Sequence, residues 1–179
     1  GPDAKATDGE IAQMRSVVGS LPWIARKTRT EIQYQTSKMQ SVVRVALVKH
    51  LDQCNKVLHE TKATSSRGLM FKSGVFTWDN CILITVSDAS WAGENLVMEG
   101  QVFPRRSQYG YITALAEPGL WDSQEGGYIH ILGWKSALIK RLCRSTFRAE
   151  SQGMGYGVEN STKIRAALTQ MRGKFQRKN

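Results

Sequence analysis

Two acids and a set of cations are the residues of this 179-residue chain whose types and positions could do chemistry. Asp88 follows the apolar, β-branched run at residues 81–86 (CILITV), which reads as a strand. Glu150 falls in the first turns of a predicted helix that follows three predicted strands. An acid at a strand end facing a carboxylate from a helix packed on the sheet would bind a divalent cation, because a bound Mg²⁺ relieves the repulsion between the two charges. A two-metal site of that kind positions an attacking water and the leaving oxygen for phosphodiester cleavage. Glu150 has a second reading, as an acid favoured by the positive end of its helix.

The cations are unevenly spread. Residues 1–75 carry 12 Lys/Arg against 6 Asp/Glu, residues 76–132 carry 2 against 7, and residues 133–179 carry 11 against 2. An acidic middle between basic flanks suits a protein that grips a polyanion with its flanks and holds cations in between; an ordinary basic solvated surface is the plainer alternative. Cys54, Cys81 and Cys143 form no C-x-x-C pair, which signals neither a zinc cluster nor a disulfide framework and makes a reducing compartment the default. His50, His59 and His130 share no metal-ligand spacing and read as structural or surface residues. No apolar run reaches membrane-spanning length, and residues 1–10 (GPDAKATDGE) lack the apolar stretch of a signal peptide. A start at Gly-Pro rather than Met suggests a fragment or a protease-trimmed product.

The elements that must position these residues change period along the chain. Residues 10–58 are helical in pattern. Ile11, Met14, Val17, Val18 and Leu21 form one stripe, with Gly19 and Pro22 predicting a short helix and a turn rather than a rod. Residues 31–39 are more polar, and residues 41–58 predict one amphipathic helix. Residues 61–67 (TKATSSR) read as a linker and 68–71 (GLMF) as a short strand, with a boundary near residue 75. Residues 81–86 then predict a central strand buried on both faces and ending at 87–90; residues 108–115 and 128–134 predict a second and a third strand of an antiparallel meander. Residues 145–158 and 161–171 predict two helices, the first with a Ser/Thr N-cap and three glycines that either bring it close to the sheet or weaken it. The tail from Arg172 is basic and predicted to fray. The chain therefore reads as α+β: a mainly helical segment over 1–75, then a sheet with helices over 76–179.

Residues 84–94 (ITVSDASWAGE) closely resemble the first catalytic strand of the ribonuclease H domain in copia-type LTR retrotransposon polyproteins. In order after it, residues 106–111 (RSQYGY) are similar to that family's R-K-S-T-S-G-Y strand, 132–136 (LGWKS) to I-S-W-x-S-K, and 145–150 (STFRAE) to the S-T-x-E-A-E helix start. Upstream, 14–25 (MRSVVGSLPWIA) resembles Y-R-x-x-V-G-S-L-x-Y-L-A and 28–34 (TRTEIQY) resembles T-R-P-D-I-x-Y, the end of the reverse transcriptase leading into ribonuclease H. The resemblance spans about residues 10–170.

The resemblance implies a C-terminal reverse transcriptase (connection) segment over 1–75 and a ribonuclease H-like mixed sheet over 76–179. It also implies hydrolysis of the RNA strand of RNA–DNA hybrids with Mg²⁺, or Mn²⁺, as cofactor. Carried over residue by residue, Asp88 and Glu150 would be metal ligands that orient the attacking water, and Lys135, Lys140, Arg141 and Arg144 would contact phosphates. Trp91 and Trp134 read as core packing, with base stacking as the alternative. The implied partners are nucleic acid and the rest of the Pol polyprotein, with no membrane, and the implied locations are cytoplasmic virus-like particles and the nucleus. The departures are specific. No Asp follows Asp122, so the family's fourth strand and its third catalytic Asp have no counterpart, and Arg148 replaces an acid beside Glu150. The expectation is thus an endonuclease fragment with little activity of its own; a non-catalytic nucleic-acid-binding remnant of a decayed or domesticated element is the alternative, and an unrelated α+β interaction domain a third.

Overall fold

The computed structural model describes residues 1–98, 101–120 and 122–176. Helix α1, Asp8–Lys27, opens on a reciprocal cap. The Glu10 carboxylate accepts the Thr7 N–H at 2.8 Å, and the Thr7 hydroxyl oxygen accepts the Glu10 N–H at 3.3 Å. The helix runs unbroken through Gly19 and Pro22, so the expected turn is absent. Pro22 offers no N–H to the preceding turn, but it is buried in the same stripe as Met14, Val18, Leu21 and Ala25, and that burial holds the helix together.

The single helix expected over 41–58 is two. Helix α2, Gln33–Val42, follows a 3-10 turn at Thr30–Ile32; a second 3-10 turn, Val43–Val45, then leads to helix α3, Val48–Ala63. The break is held by the N-terminal segment. Ala46 and Leu47 are extended, and the backbone of residues 4–6 bonds to them, with Ala6 N–H to the Ala46 oxygen and Val48 N–H to the Ala4 oxygen, each at 3.0 Å. Tertiary pairing here outweighs the helical periodicity of Val42, Val45 and Val48. Met14, Leu21, Ile32, Met39, Cys54 and Val57 form the core between the three helices. Residues 68–71 pair with nothing as a strand, and Met70 is 84% exposed.

Strands β1 (Ile82–Met98), β2 (Gln101–Ala116) and β3 (Ile129–Leu138) form an antiparallel meander in the order β1-β2-β3. Every pairing in it is antiparallel, which makes the architecture α+β with an open sheet rather than a mixed one. The run at 81–86 therefore belongs to an edge strand, not a central one; β2 takes the centre, and Val86 is 53% exposed. Nor does that strand end at residues 87–90: it continues to Met98.

One helix, α4 (Thr146–Gln176, 31 residues), replaces the two expected. The Ser145 hydroxyl caps it by accepting the Arg148 N–H at 3.3 Å. Asn160, midway along, holds it to the sheet by donating from Nδ2 to the Thr113 hydroxyl at 3.1 Å. Two of its glycines set the helix against the sheet: a Cβ on Gly153 would lie 3.4 Å from the Ala89 Cβ, and one on Gly157 3.1 Å from the Thr85 Cγ2. Helicity continues from Arg172 to Gln176, where the tail was expected to fray; residues 177–179 lie outside the described residues. No helix among the described residues is long and apolar enough to cross a membrane.

Candidate functional site

The two faces of the sheet have different neighbours. Side chains alternate along a strand, and Thr85, Ser87 and Ala89 point at α4, where Gly153 and Gly157 meet them. Val86 and Asp88 consequently point the other way. There they line a groove of ≈ 280 Å³ with Ile112 and Trp134, walled by Gln33 and Tyr34. Glu150 sits half-buried in the second turn of α4.

The Asp88 side chain therefore points toward the groove, while Glu150 lies one turn before Gly153, whose added Cβ would sit 3.4 Å from the Asp88 backbone oxygen. The expectation of a facing pair rested on a strand ending near Asp88. Because β1 runs on to Met98, residue parity turns the Ala89 side chain rather than that of Asp88 toward the helix. Among the described residues no group of three or more His, Cys, Asp or Glu is arranged to hold a metal ion.

The cations gather better. At the end of the sheet where β2 enters its regular pairing and β3 leaves it, the chain places Arg105 and Arg106 beside the β3–α4 connection. Arg106 Nη1 donates to the Lys140 carbonyl oxygen at 3.1 Å, and the Ile139 N–H donates to the Ser107 oxygen at 2.7 Å, fixing that connection against the strand. Lys140, Arg141 and Arg144 lie on it, and Arg148 follows in the first turn of α4. Arg105, Lys140, Arg141, Arg144 and Arg148 are exposed, and none forms an ion pair among the described residues. Three of the four expected phosphate contacts thus share one surface. Arg105, Arg106 and Arg148 flank them, and the sequence reading assigned none of the three: β-pairing brings Arg105 and Arg106 beside the connection, and Arg148 continues it in the chain.

Lys135, the fourth, stands apart. It lies within β3, opposite Tyr111, with its ammonium 6.0 Å from the centre of the Tyr109 ring. Tyr109 stacks on Tyr156 of α4 at 4.3 Å between ring centres. Burial, with Tyr156 and Glu159 nearby, pushes its hydroxyl up to about 12, so it is neutral at physiological pH.

The two tryptophans of the expectation part company. Trp134 packs against the helical segment and donates its indole N–H to the Ala25 carbonyl oxygen at 2.7 Å. Trp91 is 48% exposed rather than core. It opens an irregularity in β1: Ser90 pairs with Gln108 and Glu94 with Arg106, so residues 91–93 face Ser107 alone. Glu94, beyond the bulge, fastens β1 to α2. It accepts the Tyr34 hydroxyl at 2.7 Å and holds the Lys38 ammonium at 3.5 Å, and the Tyr34 hydroxyl is pushed up chiefly by that hydrogen bond to the carboxylate.

No protein-family model matches this chain, and neither does any curated protein or solved structure.

Proposed function

We propose that the chain binds nucleic acid through the phosphate backbone, with the basic end of the sheet as the contact surface. The observation that carries this reading is the gathering of the exposed Arg105, Lys140, Arg141, Arg144 and Arg148, none in an ion pair among the described residues, at one end of the sheet. Cations held this way release counterions when they meet phosphates, which gives affinity with little sequence preference. The resemblance to copia-type ribonuclease H supports an RNA–DNA hybrid as the ligand and a retrotransposon Pol polyprotein as the origin. Hydrolysis is the second reading, with Asp88 and Glu150 as the candidate metal ligands by that resemblance.

The test is anisotropy titration of a labelled RNA–DNA hybrid at several salt concentrations. Each phosphate contact adds about 0.9 to the slope of log affinity against log salt, so replacing Arg141 and Arg144 together by Ala should lower the slope by about 2. Asp88→Asn should leave it unchanged. Binding indifferent to salt would overturn the proposal, and Mg²⁺-dependent cleavage of the hybrid abolished by Asp88→Asn would replace it with the hydrolase reading.

A further inference from the structure

The bulge in β1 lies beside the basic rim and presents an aromatic ring there. Residues 91–93 stand opposite Ser107 alone. Ala92 takes φ 58° and Arg105 takes φ 60°, both in the left-handed region that side-chain-bearing residues avoid. Two such residues in adjacent strands cost free energy and persist only where the surroundings impose them. Here the surroundings do: the Ala92 N–H donates to the Ser107 hydroxyl at 3.3 Å, and the Trp91 indole N–H donates to the Cys143 carbonyl oxygen at 3.0 Å. The second bond fixes the Trp91 ring against the connection that carries Lys140, Arg141 and Arg144 while leaving 48% of it exposed. Phe147, between Arg144 and Arg148, is 80% exposed.

We infer that Trp91, with Phe147, exposed in the first turn of α4, as a second ring, is a stacking platform for unpaired bases, so that this surface takes a nucleic-acid strand where pairing ends rather than a continuous duplex. The inference rests on the nucleic-acid reading above and deepens it. Duplex contacts need cations alone, whereas a half-exposed indole held by its N–H beside a cation-bearing connection suits a base splayed from its stack. The bulge explains why the ring is available: in an unbroken strand, residue 91 would alternate onto the α4 face with Ala89.

The experiment compares a blunt RNA–DNA hybrid with the same hybrid carrying a single-stranded overhang, in parallel with vesicles of anionic lipid. The overhang should bind tighter by about 5- to 150-fold, the range expected for one stacked base. Trp91→Ala should abolish that advantage while leaving the blunt hybrid unchanged, and Phe147→Ala should reduce it. Trp91→Phe, which keeps a ring and spares the packing, should retain most of it and separates lost stacking from lost fold. Equal affinity for both hybrids, or a Trp91→Ala loss shared equally by both, would overturn the platform and leave phosphate binding standing. Binding to the vesicles and to neither hybrid would overturn both readings.

Discussion

The indole N–H of Trp134, in β3, donates to the carbonyl oxygen of Ala25, in the last turn of α1, across 109 residues of chain. A second bond from the helical segment to the sheet runs from the Gln108 Nε2 to the Ser37 hydroxyl at 3.3 Å. Trp134→Phe keeps most of the ring and removes the donor. It should cost about 1–2 kcal/mol in urea unfolding, and amide exchange should speed up on both sides of the junction.

Arg29 ties the end of α1 to the end of α3. Only 4% exposed, it donates from Nη1 to the Thr61 carbonyl oxygen, from Nη2 to the Thr64 hydroxyl and from Nε to Glu31. Burial pushes the Glu31 carboxyl up, but the Arg29 hydrogen bond, its own backbone N–H and the Arg29 and Arg67 charges outweigh it and hold the group below the usual range. Arg29→Met should lower stability by about 2–4 kcal/mol, since it strips the donor from a buried carbonyl. Arg29→Lys should recover part only, because an ammonium cannot span three acceptors in a fixed fork. Denaturant titration of the pair checks this.

The glycines of α4 should respond to substitution in opposite senses. Nothing lies within 4 Å of a Cβ added to Gly155, so Gly155→Ala should stabilise by about 0.5–1 kcal/mol through helix propensity. At Gly157 the same atom would meet the Thr85 Cγ2 at 3.1 Å, with the Ser87 and Tyr111 Cβ atoms close behind. Gly157→Val should therefore push the helix off the sheet at a cost of about 1–3 kcal/mol. Thermal unfolding of the two variants separates them.

His50 makes the helical segment acid-sensitive. Its Nδ1 accepts the Leu47 N–H at 3.0 Å at the start of α3. Burial, then the Lys49 and Lys38 charges, hold the imidazole below its ordinary value of 6.5, against the opposing pull of Asp3. With the folded value below the unfolded one, the unfolded chain binds the proton more readily. The stabilisation is complete above pH 6.5 and is lost as the pH falls through the folded value. His50→Asn, which offers an acceptor that does not titrate, should flatten the fall of Tm across that window relative to the parent chain.

Much of this architecture was legible because local signals and tertiary contacts agreed. The short connections between the runs at 81–86, 108–115 and 128–134 announced a meander, and Ser145 announced a helix start that its hydroxyl does cap. Where they disagreed, the contact prevailed. Pro22 reads as a breaker but is buried in the stripe it was expected to interrupt, and Ala46 reads as helix but pairs with the N-terminal segment. The candidate site was legible as charge and not as geometry. Lys140, Arg141 and Arg144 announce themselves by adjacency, whereas the face on which Asp88 lies depends on a strand continuing past it, and the exposure of Trp91 depends on a bulge set by Ser107 across the sheet. Neither is written in the residues nearest to them.

Each strand of the sheet pairs only with its neighbour in sequence, and that has a kinetic corollary. Hairpin closure of β1 on β2, then of β3 on β2, requires no crossover, so the sheet can assemble by successive short-range steps with α4 settling on it last. The slow event is the meeting of Trp134 with Ala25, which must close a far longer loop. A refolding chain should acquire its sheet before the helical segment docks, and mutations at the junction should then slow that last phase while leaving sheet formation nearly untouched.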